Sequence, residues 1–246
     1  MGVYTDCVAK KAKQKQLAVL IDPDLSKLSK LNEVILTAVA AGVDMFLVGG
    51  SLVLNDSLDR TIKSIKEVSE LPVVLFPGSP LQMSPKADAI LFLSLISGRN
   101  PDLLIGSHVL AAPYLKLSGL EVISTGYMLI DGGVPTSVSY ISNTQPIPAS
   151  KADIAVSTAL AGQYLGLKSI YLDAGSGALQ HVPVEMIAAV SAHIHVPIWV
   201  GGGIRNAKQA AALATAGADI IVVGNAFEKD PSLIAEMAQA VHGVSV

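Results

Sequence analysis

Three short segments carry the same chemistry: Ala174-Gly175-Ser176-Gly177, Gly201-Gly202-Gly203-Ile204-Arg205 and Gly224-Asn225. Each follows an apolar run and offers backbone N–H groups with little side chain over them. Glycine lets the main chain approach an anion closely, a following helix adds its positive N-terminal end, and the Ser176 hydroxyl can donate. Glycine also ends strands for conformational reasons alone, so the argument rests on the three segments together. Together they can surround a phosphate. A second group, Asp22-Pro23-Asp24 and Gly49-Gly50-Ser51, brings carboxylate and hydroxyl oxygens to two further strand ends. Such oxygens suit Mg²⁺, which takes one or two carboxylates and fills its shell with water and substrate phosphates. The alternative is that Asp22 and Asp24 cap the next helix, a common use of aspartate. His108, His181, His193, His195 and His242 have no metal-binding spacing and read as packing or surface residues, so no zinc is expected.

The elements that must hold these groups are eight short apolar runs alternating with longer amphipathic ones, the pattern of repeated βα units on a parallel sheet. The strand candidates are 17–22, 45–50, 72–78, 89–95, 121–130, 169–175, 197–202 and 219–225. At 246 residues the chain matches the ~250 of one (β/α)₈ barrel, a TIM barrel, so residues 1–246 form a single domain, with 1–16 as an N-terminal helical extension. In that fold phosphate sites are commonly built after strands seven and eight, where GGGIR and VGNAF fall. The first three strands end at Asp22, Gly50 and Gly78, a step of 28 residues each time. The period then breaks: SPLQMSPKAD (79–88) holds Pro80 and Pro85 and cannot carry a three-turn helix. A barrel lacking its third helix exposes an apolar flank, which usually means a partner or an elongated apolar ligand. The Gly-, Pro-, Ser- and Thr-rich stretch 131–150 reads as a long loop after strand five, either a lid or substrate wall or a plain surface excursion.

Composition excludes several function classes. The chain is 51% hydrophobic and 15% charged with a formal net charge of −3, enough apolar material for doubly buried strands and no basic field for nucleic acid. Lys10, Lys11, Lys13 and Lys15 form either a solvated helix face or a peripheral contact for an anionic membrane. One cysteine, Cys7, leaves no disulfide framework, and no apolar run reaches the ~18 residues of a membrane span. A cytoplasmic protein is expected.

VLIDPD, LVGGS, VLFPGSP, LFLSLISGRNP, GYMLIDGG, YLDAGSGA, VGGGIR and VVGNAF together resemble the geranylgeranylglyceryl phosphate synthase family, from about residue 17 to 230. The resemblance implies transfer of a polyprenyl chain, geranylgeranyl in the archaeal-like branch, from its diphosphate to the C3 hydroxyl of sn-glycerol 1-phosphate. It implies Mg²⁺ at Asp22 and Ser51, and glycerol phosphate held by Tyr171, Leu172, Asp173, Ala174, Gly175, Ser176, Gly177, Gly202, Gly203, Gly224 and Asn225. Members are similar in lacking a regular third helix and in forming dimers or hexamers, for which the helices after strands four and five are the expected contact. Two positions depart from related patterns. Asp173 stands where the family usually has glutamate, and Leu20 stands where the bacterial heptaprenyl branch has a lysine.

The chemistry such a transfer needs can be assigned to residues. Asp173 at the end of strand six is the candidate proton acceptor, with Tyr171 beside it in a catalytic or a structural role. Residues 103–117 with Tyr127, Met128 and Leu129 are candidates for an apolar tail track, though helix stripes of this kind are more often core or subunit interface. Two other readings fit a phosphate grip. One is another phosphosugar barrel enzyme, an isomerase or aldolase; the other is a non-catalytic phosphate- or lipid-binding scaffold. No strand end places a lysine for a Schiff base, which weighs against an aldolase of that type.

Overall fold

Eight runs of aliphatic residues pair in parallel and in chain order, and the last pairs with the first to close a barrel. The computed structural model describes residues 2–24, 31–50 and 57–246. The strands are β1 (Gln16–Ile21), β2 (Met45–Val48), β3 (Val73–Leu75), β4 (Ala89–Leu95), β5 (Glu121–Leu129), β6 (Ser169–Asp173), β7 (Ile198–Gly201) and β8 (Ile220–Val223). All eight sequence candidates are strands, each ending up to two or three residues before the glycine or aspartate that marks its turn. Alternate strand residues divide into two cores, as a pleated strand requires. Ala18, Leu47, Leu91, Tyr127, Tyr171 and Trp199 fill the barrel interior, while Val19, Phe46, Ile90, Met128 and Leu172 pack outward. The interior is therefore a packed core whose ligand surface lies at its ends.

The helices are α1 (Val3–Lys11), α2 (Leu31–Ala40), α3 (Leu58–Val68), α4 (Ser107–Ser118), α5 (Ser137–Ser142), α6 (Ala152–Tyr164), α7 (Val184–Ser191), α8 (Ala207–Thr215), α9 (Asn225–Lys229) and α10 (Leu233–His242). No helix joins β3 to β4, as the prolines at 80 and 85 dictate. Gln82 holds that connection in place. Its amide nitrogen donates to the Gly50 carbonyl at 3.0 Å and its oxygen accepts from the Gly78 N–H at 3.0 Å. Without an outer helix, Phe92 and Ser94 on the outward side of β4 stay half-buried. The stretch 131–150 is more ordered than its composition suggests. Thr136 and Ser139 form a capping box that starts α5, and Ile147 bridges to Ile130 beside β5.

The extension α1 closes the end of the barrel opposite the strand C-termini. Val3 and Cys7 pack into the interior core, and burial pushes the Cys7 thiol up to about 12, so it is a packing group rather than a nucleophile. Three of the four clustered lysines are used here. Lys10 pairs with Asp44 at 2.8 Å, and Lys11 and Lys15 pair with Asp219 at 3.0 and 3.4 Å. Lys10 stays about half exposed, as a solvated helix face requires, while Lys11 and Lys15 are more enclosed, and the three ion pairs tie the N-terminal segment to the starts of β2 and β8. No helix among the described residues is long and apolar enough to cross a membrane.

Candidate active site

At the C-terminal ends of the strands the backbone turns away from the axis and leaves a cup. Asp22, Tyr171, Asp173, Gly175, Ser176, Gly177, Gly202, Gly203, Gly224 and Asn225 line it together. Ten of the residues singled out by type and spacing thus meet in one place, although they come from four strands. Ser51 lies outside the described residues. Leu172 and Ala174 do not join the cup: strand alternation sends both side chains outward against the helices, and the Ala174 N–H donates to the Gly201 carbonyl at 3.0 Å.

The glycines have different tasks. Gly202 and Gly203 have φ of +81° and +71°, which only glycine adopts readily, and a Cβ on Gly202 would lie 2.7 Å from Asp173 Oδ1. Gly175 also has positive φ, +88°, but its N–H donates to Asp173 Oδ1 at 2.8 Å. Its amide therefore positions the carboxylate from within the cup lining. Ser176 and Asn225 hydrogen-bond each other at 3.1 Å, closing the rim between the β6 and β8 turns. Arg205 donates to the Ala178 carbonyl at 3.2 Å and braces the β6 turn from the β7 side.

Asp173 sits at the cup floor, only 7% exposed. Burial raises its proton affinity, while hydrogen bonds from Tyr127 and the Gly175 N–H oppose that rise without cancelling it. A carboxylate with raised proton affinity is a better proton acceptor than a free one. Tyr171 is fully buried, with its ring 5.1 Å from that of Phe76 and 6.4 Å from that of Trp199. Burial first, then the nearby Asp173 charge, push its phenol well above its ordinary value. Tyr171 thus stays protonated and forms part of the floor, which weighs against its acting as a base.

A second cavity opens off the cup on the side of the missing helix. Its wall includes Pro80 and Met83 from the helix-free connection, Ile90 and Phe92 from the outward face of β4, His108 and Ala111 from α4, and Ile141 from α5. The apolar flank foreseen from the short connection is this groove. Gly50, Phe76, Tyr127 and Val138 line both cavities, so groove and cup meet at an aromatic corner. The sequence candidates for the groove need correcting. Tyr127, Leu103, Ser107, His108 and Ala111 line it, but Met128 packs outward against helices and Leu129 inward into the barrel. Leu110 and Leu117 face away into solvent. His108 is a packing residue as expected, edge-on to Phe92 with Nε2 3.0 Å from the Ser94 hydroxyl, and burial keeps it neutral.

Sequence reasoning missed the meeting of Tyr127 with Asp173, the aromatic corner residue Phe76, and Glu228, which lines the cup from α9. The parity of β5 carried a signal for the first, since Ile123, Tyr127 and Leu129 alternate inward.

The model of the PcrB family matches residues 10–243 of this chain. The geranylgeranylglyceryl phosphate synthase of Chitinophaga pinensis is 56% identical over 244 residues, covering 99% of this chain and 97% of that one. The protein of the same name from Thermococcus gammatolerans is 47% identical over 222 residues, covering 90% and 87%. Among solved structures, (S)-3-O-geranylgeranylglyceryl phosphate synthase from Thermoplasma acidophilum, in complex with its substrate sn-glycerol-1-phosphate, superposes with a TM-score of 0.94. It is 35% identical, with 99% of this chain and 100% of that one covered.

Proposed function

The chain belongs to the PcrB family, and from that premise we propose that it is a prenyltransferase joining a polyprenyl diphosphate to the C3 hydroxyl of sn-glycerol 1-phosphate, with geranylgeranyl as the chain transferred. The observation that carries this reading is the junction of two unlike cavities: a glycine-lined polar cup opens through Phe76 and Tyr127 into an apolar groove. A small phosphate ester and an isoprenoid tail have just these two characters. An isomerase or aldolase would use the cup alone, and no lysine lines it among the described residues.

The oxygen of the acceptor C3 hydroxyl forms a bond to prenyl C1. The bond from C1 to the diphosphate oxygen breaks, its electron pair leaves with diphosphate, and the hydroxyl proton passes to the Asp173 carboxylate. Gly177, Gly202, Gly203, Ser176 and Asn225 bind and orient the glycerol phosphate so that its hydroxyl meets Asp173. The faces of Phe76 and Tyr127 border the place where the allylic carbon becomes cation-like.

The residues present also fit Mg²⁺. Asp22 and Glu228 line the cup as carboxylates, and among the described residues no three His, Cys, Asp or Glu side chains form a closed metal cage. That suits an ion that completes its shell with water and substrate phosphates. Asp22 would hold it, and when bound it would neutralise the charge growing on the departing diphosphate. Self-association through the exposed apolar face of α4 belongs to the same reading. Incubation with sn-glycerol 1-phosphate, Mg²⁺ and prenyl diphosphates of several lengths, followed by mass analysis, tests the activity. Absence of an ether product with every length would refute it.

A further inference from the structure

Asp173 has a short side chain at the cup floor, and its carboxylate is fixed from three directions. The Gly175 N–H donates to Oδ1 at 2.8 Å, and the absent Cβ of Gly202 makes room beside the same oxygen. The third fixture comes from another strand. Tyr127 pairs in register with Tyr171, and Leu129 with Asp173, so Tyr127 lies one inward layer below the carboxylate. A phenol is long enough to span that step, and Tyr127 Oη donates to Asp173 Oδ2 at 2.5 Å. The ring cannot turn aside, because Tyr171 and Phe76 pack on it at centroid distances of 5.6 and 6.1 Å.

We infer that Tyr127 is a positioning residue for the transfer: its phenol holds the Asp173 carboxylate ionised and aimed into the cup, ready to take the acceptor proton. This rests on the prenyl transfer proposed above. The groups facing Asp173 are Tyr127 from β5 and Tyr171 from β6, with Asp22 beyond the end of β1 and Glu228 on α9 as the acidic members of the cup lining. No lysine, arginine or histidine lines the cup among the described residues. The two hydrogen bonds therefore supply the counterweight to burial, and burial raises the proton affinity while Tyr127 lowers it. Removing the phenol must raise that affinity further. A base works only when deprotonated, so the acid limb of the rate profile must then move to higher pH.

The test is Tyr127→Phe in the full chain, assayed with Mg²⁺, sn-glycerol 1-phosphate and geranylgeranyl diphosphate. At neutral pH kcat should fall about tenfold or more, while KM for glycerol phosphate stays within about twofold. The acid limb of kcat should move up by about one pH unit, the size of one hydrogen bond to a charged group, with activity recovering as pH rises. Lower activity with an unmoved limb would mean a merely structural tyrosine and would overturn the inference. A readout that needs no turnover separates this from the functional reading. The Asp173 carboxyl ¹³C signal, assigned by its loss in Asp173→Asn, should titrate at higher pH in Tyr127→Phe than in wild type, and an equal midpoint would overturn the inference even if no ether product is ever seen. A further measurement keeps Tyr127 intact: the hydroxyl proton of a strong phenol-to-carboxylate bond resonates far downfield, and should be present in wild type and gone in Asp173→Asn. Its absence from wild type, or its persistence in Asp173→Asn, would also overturn the inference.

Discussion

At the scale of single residues, the proposed proton acceptor Asp173, metal ligand Asp22 and phosphate grip use different groups at the barrel mouth and should separate by mutation. Asp173→Asn keeps the shape of the side chain and removes its charge. Its kcat should fall by roughly 10²–10⁴, the loss typical of a general base, with glycerol phosphate still bound and with Asp173→Glu retaining substantial activity. Near-wild-type turnover in Asp173→Asn would assign the proton to water or to the departing diphosphate. Asp22→Asn should abolish turnover while leaving glycerol phosphate affinity little changed, because Asp22 stands after β1 and the grip after β6, β7 and β8. Equal loss of both would merge the two sites. Gly175 is a poor probe of the phosphate grip. A side chain there would meet both its positive φ and the Thr136 side chain at 2.7 Å, so damage to the fold would mask any loss of affinity. Ser176→Ala is cleaner, since Ser176 is exposed and removal of its hydroxyl should weaken glycerol phosphate binding by about tenfold at most, as measured by calorimetry.

At the scale of elements, what the sequence showed and what it hid have physical causes. Doubly buried strands leave nearly unbroken apolar runs, so all eight strands were readable, and prolines at 80 and 85 announced the missing helix. Side-chain direction was harder. The triplet Tyr127, Met128 and Leu129 looks uniformly apolar, yet alternation sends Met128 out to the helix layer and Tyr127 and Leu129 into the barrel, where of these two Tyr127 alone also lines the groove. The ion pairs of the lysines at 10–15 were hidden for another reason, since their partners Asp44 and Asp219 lie 34 and 204 residues from Lys10 and Lys15. The bottom closure they form makes its own prediction. Asp44 accepts from Lys10, from His242 and from the Leu17 N–H. Burial tends to raise its proton affinity, but these bonds outweigh burial and hold it below the ordinary carboxylate value. Its contribution to stability is then fully present above the unfolded-state value of about 3.9 and is lost as pH falls through the lower folded-state value. Asp44→Asn should cost about 2 kcal/mol near neutrality, lowering Tm by about 4–8 °C. The gap from wild type should close only below about pH 4. A gap that stays open well below pH 4 would mean that the Asp44 charge is not the source of the stabilisation.

At the scale of the whole molecule, the loss of one outer helix divides the exterior into two apolar surfaces with different uses. The groove side of α4 is concave and leads to the cup, so it is suited to a tail. The other side carries Val109, Leu110, Tyr114 and Leu117, with Ile105 just before the helix, and all five are exposed among the described residues; Leu110 is 76% and Leu117 87% exposed. A soluble monomer rarely tolerates a contiguous apolar patch much beyond a few hundred Å², whereas a stable interface buries about 800 Å² per partner, more than these residues alone provide. The helix after β5 can extend the surface, because Tyr164 and Leu165 at the end of α6 are also exposed. The expected outcome is a particle whose mass by analytical ultracentrifugation is a multiple of the 25.4 kDa chain. Replacing both Leu110 and Leu117 by Glu places charges at the centre of the proposed contact, and should yield monomers at concentrations where wild type stays associated. Neither residue lines the cup, so glycerol phosphate affinity should survive in those monomers, while turnover is free to fall if association steadies the groove-lining face of the same helix. A wild-type chain that sediments at 25.4 kDa at every concentration, or a double variant with wild-type mass, would move the contact off α4 and leave its apolar face to another partner.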